Sequence, residues 1–309
     1  RDRYKKYKFS RRRYEEIEED LKKAADSEYA QNYTTCFLQD GDAFVLRTEF
    51  LMQILEGIHK YLPNIKHVTT YARADSIARK SVSELRELKT AGIEHLYCGM
   101  ETGSDLILRK INKGFDAATI IISGTKAKEA GMVLSEFTLF GIGGKELAEE
   151  NAVETAKVLN VIKPDFVRVH ATGIKLSSEM WNYVKNKELT LQSEEEIVSE
   201  QKIMLELLAD DMDCIYMNEH IVNLLLEVRG NIRTDKQNML ETINTYLQLP
   251  KQEQELFNLG RRLNIMFFLA DLNNRAKRKQ TEEGLRKIKT QNPDLDLAFV
   301  CNYVRQTQI

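Results

Sequence analysis

Cysteine is scarce. Cys36, Cys98, Cys214 and Cys301 are the four in 309 residues, and no two have the spacing of a zinc site or a redox dithiol. Cys36 and Cys98 fall inside apolar strand-like runs, where cysteine acts as a small buried hydrophobe, so the thiols fit a reducing, cytoplasmic protein. Long hydrophobic runs are absent: none approaches the roughly 18 residues that a membrane span needs. Net charge is nearly absent too. Lys+Arg 45 against Asp+Glu 47 leave −2, which gives no global argument for nucleic acid or an anionic membrane. The five histidines show no HxxxH or HxH spacing, which removes the usual support for zinc. The one tryptophan, Trp181, stands among polar residues and reads as packing rather than as a stacking platform. An initial methionine is missing as well. The chain opens Arg1-Asp2-Arg3, so an upstream segment is expected, and the residues shown leave the question of a targeting signal open.

Two phosphate-binding motifs are also absent. Gly141-Ile142-Gly143-Gly144-Lys145 invites a phosphate-loop reading, but that pattern needs glycine where Leu139 stands and serine or threonine where Glu146 stands. The dinucleotide fingerprint fails because Glu146 replaces its third glycine. What remains is a strand end that lets a flat ligand approach the backbone.

What is present is a repeat. Residues 1–13 form a basic, aromatic-interleaved arm that either grips phosphates or is simply solvated, and Tyr14, Ile17, Leu21 and Ala24 follow at helical spacing. Strands are then expected at Tyr33–Leu38, His67–Tyr71, Leu96–Met100, Val133–Phe140 and Phe166–His170, each followed by a helix. Thr48 offers a cap, Leu51, Ile54, Leu55 and Ile58 an apolar face, Ser81 with Glu84 a capping box. Five strand–helix units predict an α/β fold with a parallel sheet. Every strand ends in polar or glycine-rich residues while the helices end blandly, as in a barrel with its site on the carboxyl-end face. After about residue 175 the pattern turns helical. Ser193 and Glu196 cap one helix, a short strand-like run covers Cys214–Met217, and helices are expected near 219–228, 235–248 and 251–264. The reading is a barrel domain over 1–175 and a helical extension over 176–309.

The sharpest stretch is Glu94–Asp105, EHLYCGMETGSD. Its apolar run stops at Glu101, and Thr102-Gly103-Ser104-Asp105 reads as a tight turn into a helix that Ser104 or Asp105 caps. A carboxylate thus ends a buried strand beside free N–H groups, where α/β folds bind ligands; the alternative is that Glu101 only ties down its own loop. His170 ends a strand, and His220 opens a helix after a polar turn, either as a cap or as a wall of the site.

Taken together, the strand ends FLQDGDAF, YCGMETGSDLILRKINKG, LFGIGG and VRVHATG resemble the radical S-adenosylmethionine (SAM) superfamily, on the side of oxygen-independent coproporphyrinogen oxidase and the methylthiotransferases. The resemblance covers roughly residues 1–230. It implies a partial, six-stranded (β/α) TIM-type barrel. In that family the first of these stretches takes the SAM amino group, which implies Asp40, Gly41 and Asp42. The second holds the ribose and carboxylate, implying Glu101 for the hydroxyls and Ser104 and Arg109 for the carboxylate. The third lies near the adenine, implying Gly141 and Gly143. Tyr71, Arg73, Glu136, Arg168 and His170 would line the cavity toward the substrate.

The family's iron–sulfur cluster hangs on a CxxxCxxC loop that this chain lacks, while RDRYKKYKFSRRR resembles the segment that follows that loop. The first strand and the ligands of a [4Fe–4S] cluster are therefore expected upstream of Arg1. The implied activity is reductive cleavage of SAM to methionine and a 5′-deoxyadenosyl radical that abstracts hydrogen from a small-molecule or peptide substrate, with electrons from a donor such as flavodoxin or ferredoxin. The alternatives are a degenerate, cluster-less barrel that binds SAM or a partner without catalysis, and an iron-free barrel lyase or hydrolase.

Overall fold

A computed structural model describes residues 10–39, 41–291 and 296–308. Asp40 and most of the basic arm lie outside them. The elements follow the expected strand–helix alternation: α1 (Tyr14–Ala25), β1 (Thr35–Leu38), α2 (Thr48–Tyr61), β2 (His67–Ala72), α3 (Ala74–Arg79), α4 (Val82–Thr90), β3 (Ile93–Glu101), α5 (Asp105–Lys110), α6 (Ala117–Glu129), β4 (Val133–Phe140), α7 (Ala148–Ile162) and β5 (Phe166–Ala171). There follow α8 (Glu179–Lys185), α9 (Glu194–Leu207), β6 (Ile215–Met217), β7 (Gly230–Asn231), α10 (Ile232–Leu247), α11 (Lys251–Arg262), α12 (Arg275–Gln291) and α13 (Leu297–Thr307). The seven strands enter one sheet in sequence order, the order a (β/α) barrel uses. β1 with β2, β2 with β3 and β5 with β6 are parallel, and β6 with β7 is antiparallel. The α/β class is as expected. No helix among the described residues is long and apolar enough to cross a membrane.

The chain divides into two compact units, Arg1–Met100 with Ala118–Glu136, and Glu101–Ala117 with Phe137–Ile309. In the first, β1, β2 and β3 pair with Phe37 opposite Thr69 and Thr70 opposite Leu96. Leu51, Ile54, Leu55 and Ile58 of α2 are buried, as the helical spacing predicts. Ser81 and Glu84 form the capping box of α4. Thr48 is not a cap. It is the first residue of α2, and its hydroxyl donates to Glu84 (2.8 Å), so one carboxylate serves two helix starts.

In the second unit β5 pairs with β6, and Ser193 and Glu196 cap α9 as expected. The expected helix near 219–228 does not form; the segment is a chain of turns. The cause lies in α11. Arg261 and Arg262 are buried, and their guanidiniums donate to the carbonyls of Ile221, Val222, Asn223 and Leu224. Carbonyls turned toward a cation are lost to an i→i+4 ladder. Asn223 does the rest. Its side chain donates to Val169 O and accepts from Ala171 N, both at 2.7 Å, filling the ladder positions of an additional strand beside β5. His220 therefore sits in a bend and not at a helix start.

Candidate functional site

The turn after β3 carries the strongest local signal. Glu101 has φ 65°. Four other described non-glycine residues have positive φ, namely Asn112, Lys163, Lys187 and Asn264, and each lies at or just past a helix end, where the left-handed conformation is routine. Glu101 instead ends a strand. A side chain held there costs on the order of 1–3 kcal/mol, and such residues gather at binding sites. Gly103 has a packing reason: a Cβ at this position would collide with the carbonyl oxygen of Glu154 in α7. Its N–H donates to Thr155 Oγ1 (2.9 Å).

The Glu101 carboxylate meets Lys113 Nζ at 2.6 Å, and both side chains are largely shielded. Lys113 comes from the turn after α5, and sequence alone does not pair it with Glu101, because the two are neighbours only after the helix has folded back. Along β5, burial alternates. Val167, Val169 and Ala171 are buried, whereas Phe166, Arg168 and His170 are half-buried on the other face. The His170 ring lies 4.4 Å from that of His220 and 5.6 Å from that of Phe137. Burial first, then the nearby His220 and Arg168, push His170 down to about 4, with Glu101 opposing. Burial lowers His220 as well. Both imidazoles are thus neutral at pH 7, each keeping one acceptor and one donor nitrogen. His220 joins this set because Asn223 pins its loop to β5, a signal that neither spacing nor composition carried.

Other expected residues have structural duties. Ser104 caps α5 by accepting from Ile107 N (3.4 Å), donates to Glu150 Oε1 (2.9 Å) and is fully buried, so its hydroxyl is spent within the fold rather than offered to a carboxylate. Arg109 stands exposed on α5. Gly141 takes φ 81°, a glycine conformation, yet the space beside it holds Ile197, and that beside Gly143 holds Ile107 and Leu147. The room expected for adenine at these Cβ positions is filled by the chain's own side chains.

In the first unit, Asp42 accepts from Arg73 N (3.2 Å) and Ser76 Oγ, which ties its loop to the start of α3; burial raises its pKa. It is therefore engaged with its own loop. Arg73 Nε donates to Asp75 (2.9 Å), and Gly41 is exposed. Tyr71 packs with Phe37 (4.8 Å) and Tyr97, and Tyr97 stacks on His95 (4.3 Å), whose ring meets Ser135 Oγ at 2.8 Å. Glu136 departs from expectation. It is fully buried, and alternation along β4 groups it with Leu134 and Thr138, on the face opposite Ser135. It does not share the ring-bearing face that carries the substrate-lining expectation. Asp40 lies outside the described residues.

No family model matches the chain. It is 24% identical over 173 residues to the heme chaperone HemW of Bacillus subtilis (strain 168), a stretch that covers 55% of this chain and 45% of that protein. The chain therefore spans less than half the length of this relative. Among solved structures, coproporphyrinogen III oxidase (HemN) from Escherichia coli, described as a radical SAM enzyme, matches 64% of this chain and 48% of its own at 14% identity and a TM-score of 0.49. Elp3 from Methanocaldococcus infernus matches 57% and 45% at 15% identity and a TM-score of 0.45.

Proposed function

The chain resembles the radical SAM superfamily, and from that premise we propose that it binds SAM at the carboxyl ends of its strands, in the service of radical chemistry on a substrate still to be identified. The observation that carries the reading is Glu101: a carboxylate in a strained left-handed conformation at a strand end, steadied by Lys113. Its free lone pairs suit the vicinal hydroxyls of a ribose, and its negative charge suits a cationic ligand. His170 and His220, both neutral, add no charge to a sulfonium site; His220 Nδ1 accepts from Val222 N (3.4 Å), which leaves its other ring nitrogen as a donor.

The radical step needs a [4Fe–4S] cluster, and the described residues do not fit one. Cys36 is half-buried in β1, Cys98 and Cys301 are buried in β3 and α13, and Cys214 is buried just before β6. No group of three or more metal-ligating side chains occurs among the described residues. An electron donor such as flavodoxin or ferredoxin would be needed only with a cluster. Two measurements test the reading. Calorimetry should show SAM binding that Glu101→Gln weakens by about 1–3 kcal/mol, the cost of an unpaired buried polar partner, in a mutant that still folds. Unchanged affinity returns Glu101 to its own loop. Protein from the complete gene, purified without oxygen, should hold about four irons per chain; a complete gene with no cysteine triplet removes the radical step and leaves SAM binding to stand or fall by the calorimetry.

The HemW relative and the two neutral imidazoles favour one further reading, heme as cargo. A neutral imidazole can ligate heme iron. Rings 4.4 Å apart cannot flank one iron from both sides, so one histidine would bind. Heme titration of the wild type and of His220→Ala, followed in the Soret band, decides it; no band in the wild type ends this reading.

A further inference from the structure

Glu200 lies on α9, is 1% exposed, and is met by neutral N–H donors. Three N–H donors converge on it. Gly141 N (2.9 Å) and Gln192 Nε2 (2.9 Å) reach one oxygen, and Asn151 Nδ2 (2.5 Å) reaches the other. Asn151 also donates to Leu139 O (2.9 Å), in the strand that Gly141 follows. Its own oxygen accepts from Thr155 Oγ1 at 3.5 Å, the longest link, and Thr155 Oγ1 accepts from Gly103 N. The chain of donors runs one way: Gly103 N–H, Thr155 hydroxyl, Asn151 amide, Glu200 carboxylate.

Only an acceptor with two bare oxygens can end such a chain, because every neighbour is a donor. A glutamine would turn an NH₂ toward at least one N–H. Burial pushes the carboxyl up to about 7 against the pull of the three donors, so both oxygens are bare above that pH, where hydrogen exchange is to be compared. The two backbone N–H groups at the ends of the network belong to the turn after β3, beside Glu101, and to the turn after β4.

We infer that Glu200 is a positioning residue that holds the Glu101–Ser104 turn and the Gly141–Gly144 turn in one arrangement through Asn151 and Thr155. Glu200 itself touches only the second of these turns. It acts on the first at a distance, across α7. The consequence for SAM rests on the binding reading above; the coupling between the two turns does not. The line from Gly103 through Thr155 and Asn151 to Glu200 is paired at each link, whereas Gln192, a side branch, leaves its own Oε1 without a partner; a paired buried line fixes one geometry, and cutting a link loosens it.

The test is amide hydrogen exchange on the full chain, by peptide mass spectrometry, for wild type and Glu200→Gln. Loss of the carboxylate should speed exchange in the peptide containing Gly103 by about tenfold, as well as in the one containing Gly141, and leave α4 unchanged. Faster exchange at Gly141 alone, with Gly103 as in the wild type, overturns the inference. Should Glu200→Gln fail to fold, Thr155→Val cuts the middle link: faster exchange at Gly141 then supports the coupling, and an unchanged rate there overturns it. SAM calorimetry runs beside it. A wild type that binds SAM, with a variant about tenfold weaker (about 1.4 kcal/mol), extends the coupling to ligand. A wild type that binds no SAM ends the binding reading, and the exchange result still decides the coupling.

Discussion

Replacing Glu194 by glutamine should unseat the C-terminal helix. Glu194 opens α9 and is essentially sealed, as are its partners Arg262 and Arg305. Arg262 grips it with two parallel bonds of 2.8 Å, and Arg305 adds one at 3.2 Å. Burial alone would raise the carboxyl pKa; the two guanidiniums instead hold it down to about 2. A fall from 4.5 to about 2 is worth about 3 kcal/mol of linkage. Because the folded value is depressed, that stability is present above pH 4.5 and is lost as pH falls toward 2. At neutral pH the glutamine variant leaves two buried cations without their anion, a change that costs about 3–5 kcal/mol when a buried pair loses one partner. Trp181 is a built-in reporter, the one tryptophan, with its ring 6.1 Å from that of Phe299 in α13. Urea unfolding followed by its fluorescence should show the free energy of unfolding falling by that amount, with the midpoint falling in proportion. A loss below about 1 kcal/mol would refute the argument, since surface pairs are worth that little.

Three other expectations follow from single contacts. Gly103→Ala drives a methyl into the carbonyl of Glu154, so α7 must yield and thermal stability should fall by about 1–3 kcal/mol; an unchanged melting temperature would mean that the turn has slack. His170 should titrate near 4 by NMR of its ring protons, below the usual 6.5, so the stability it provides is complete above pH 6.5 and is lost as pH falls toward 4. A value at 6.5 would put the ring in water. Asn223→Ala strips two partners from the edge of β5 and should cost about 1–3 kcal/mol for each group left bare, with the His170 pKa climbing as its neighbour moves away. A His170 titration identical to the wild type would show that Asn223 does not place His220.

Much of the first five strand–helix units was legible because local chemistry and tertiary fold agree there. The run Val133–Phe140 folds as the strand its composition predicts, and Ser81 with Glu84, like Ser193 with Glu196, caps the helix that its pattern announces. The segment 219–228 departs from its helical pattern for a long-range reason: Arg261 and Arg262 lie some forty positions away and take its carbonyls. The site was less legible than the fold. Glu101 stood out because a carboxylate ended an apolar run, but its backbone strain and its Lys113 partner arise only on folding. Glu200 did leave a mark, a charge on the face of α9 that carries the buried Ile197 and Met204. A carboxylate at such a position either snorkels to water or is paid for by donors, and nothing in sequence names the donors.

The same reasoning connects these polar residues to one another. Burying Asn151, Thr155, Glu194, Glu200, Asn223, Arg261 and Arg262 costs free energy unless each finds partners, and apolar side chains of similar volume would pack at least as well. What apolar side chains cannot do is specify where an irregular backbone goes. Asn223 and the two arginines hold the loop that carries His220; Asn151, Thr155 and Glu200 hold the turns that follow β3 and β4. Those turns lack the ladders that fix helices and strands, so their geometry must come from side chains, and a fully satisfied donor chain supplies it. The residues that matter most for the site need not face it, and they are found by asking which buried polar groups on helices α7, α9 and α11 bond to backbone outside their own helix.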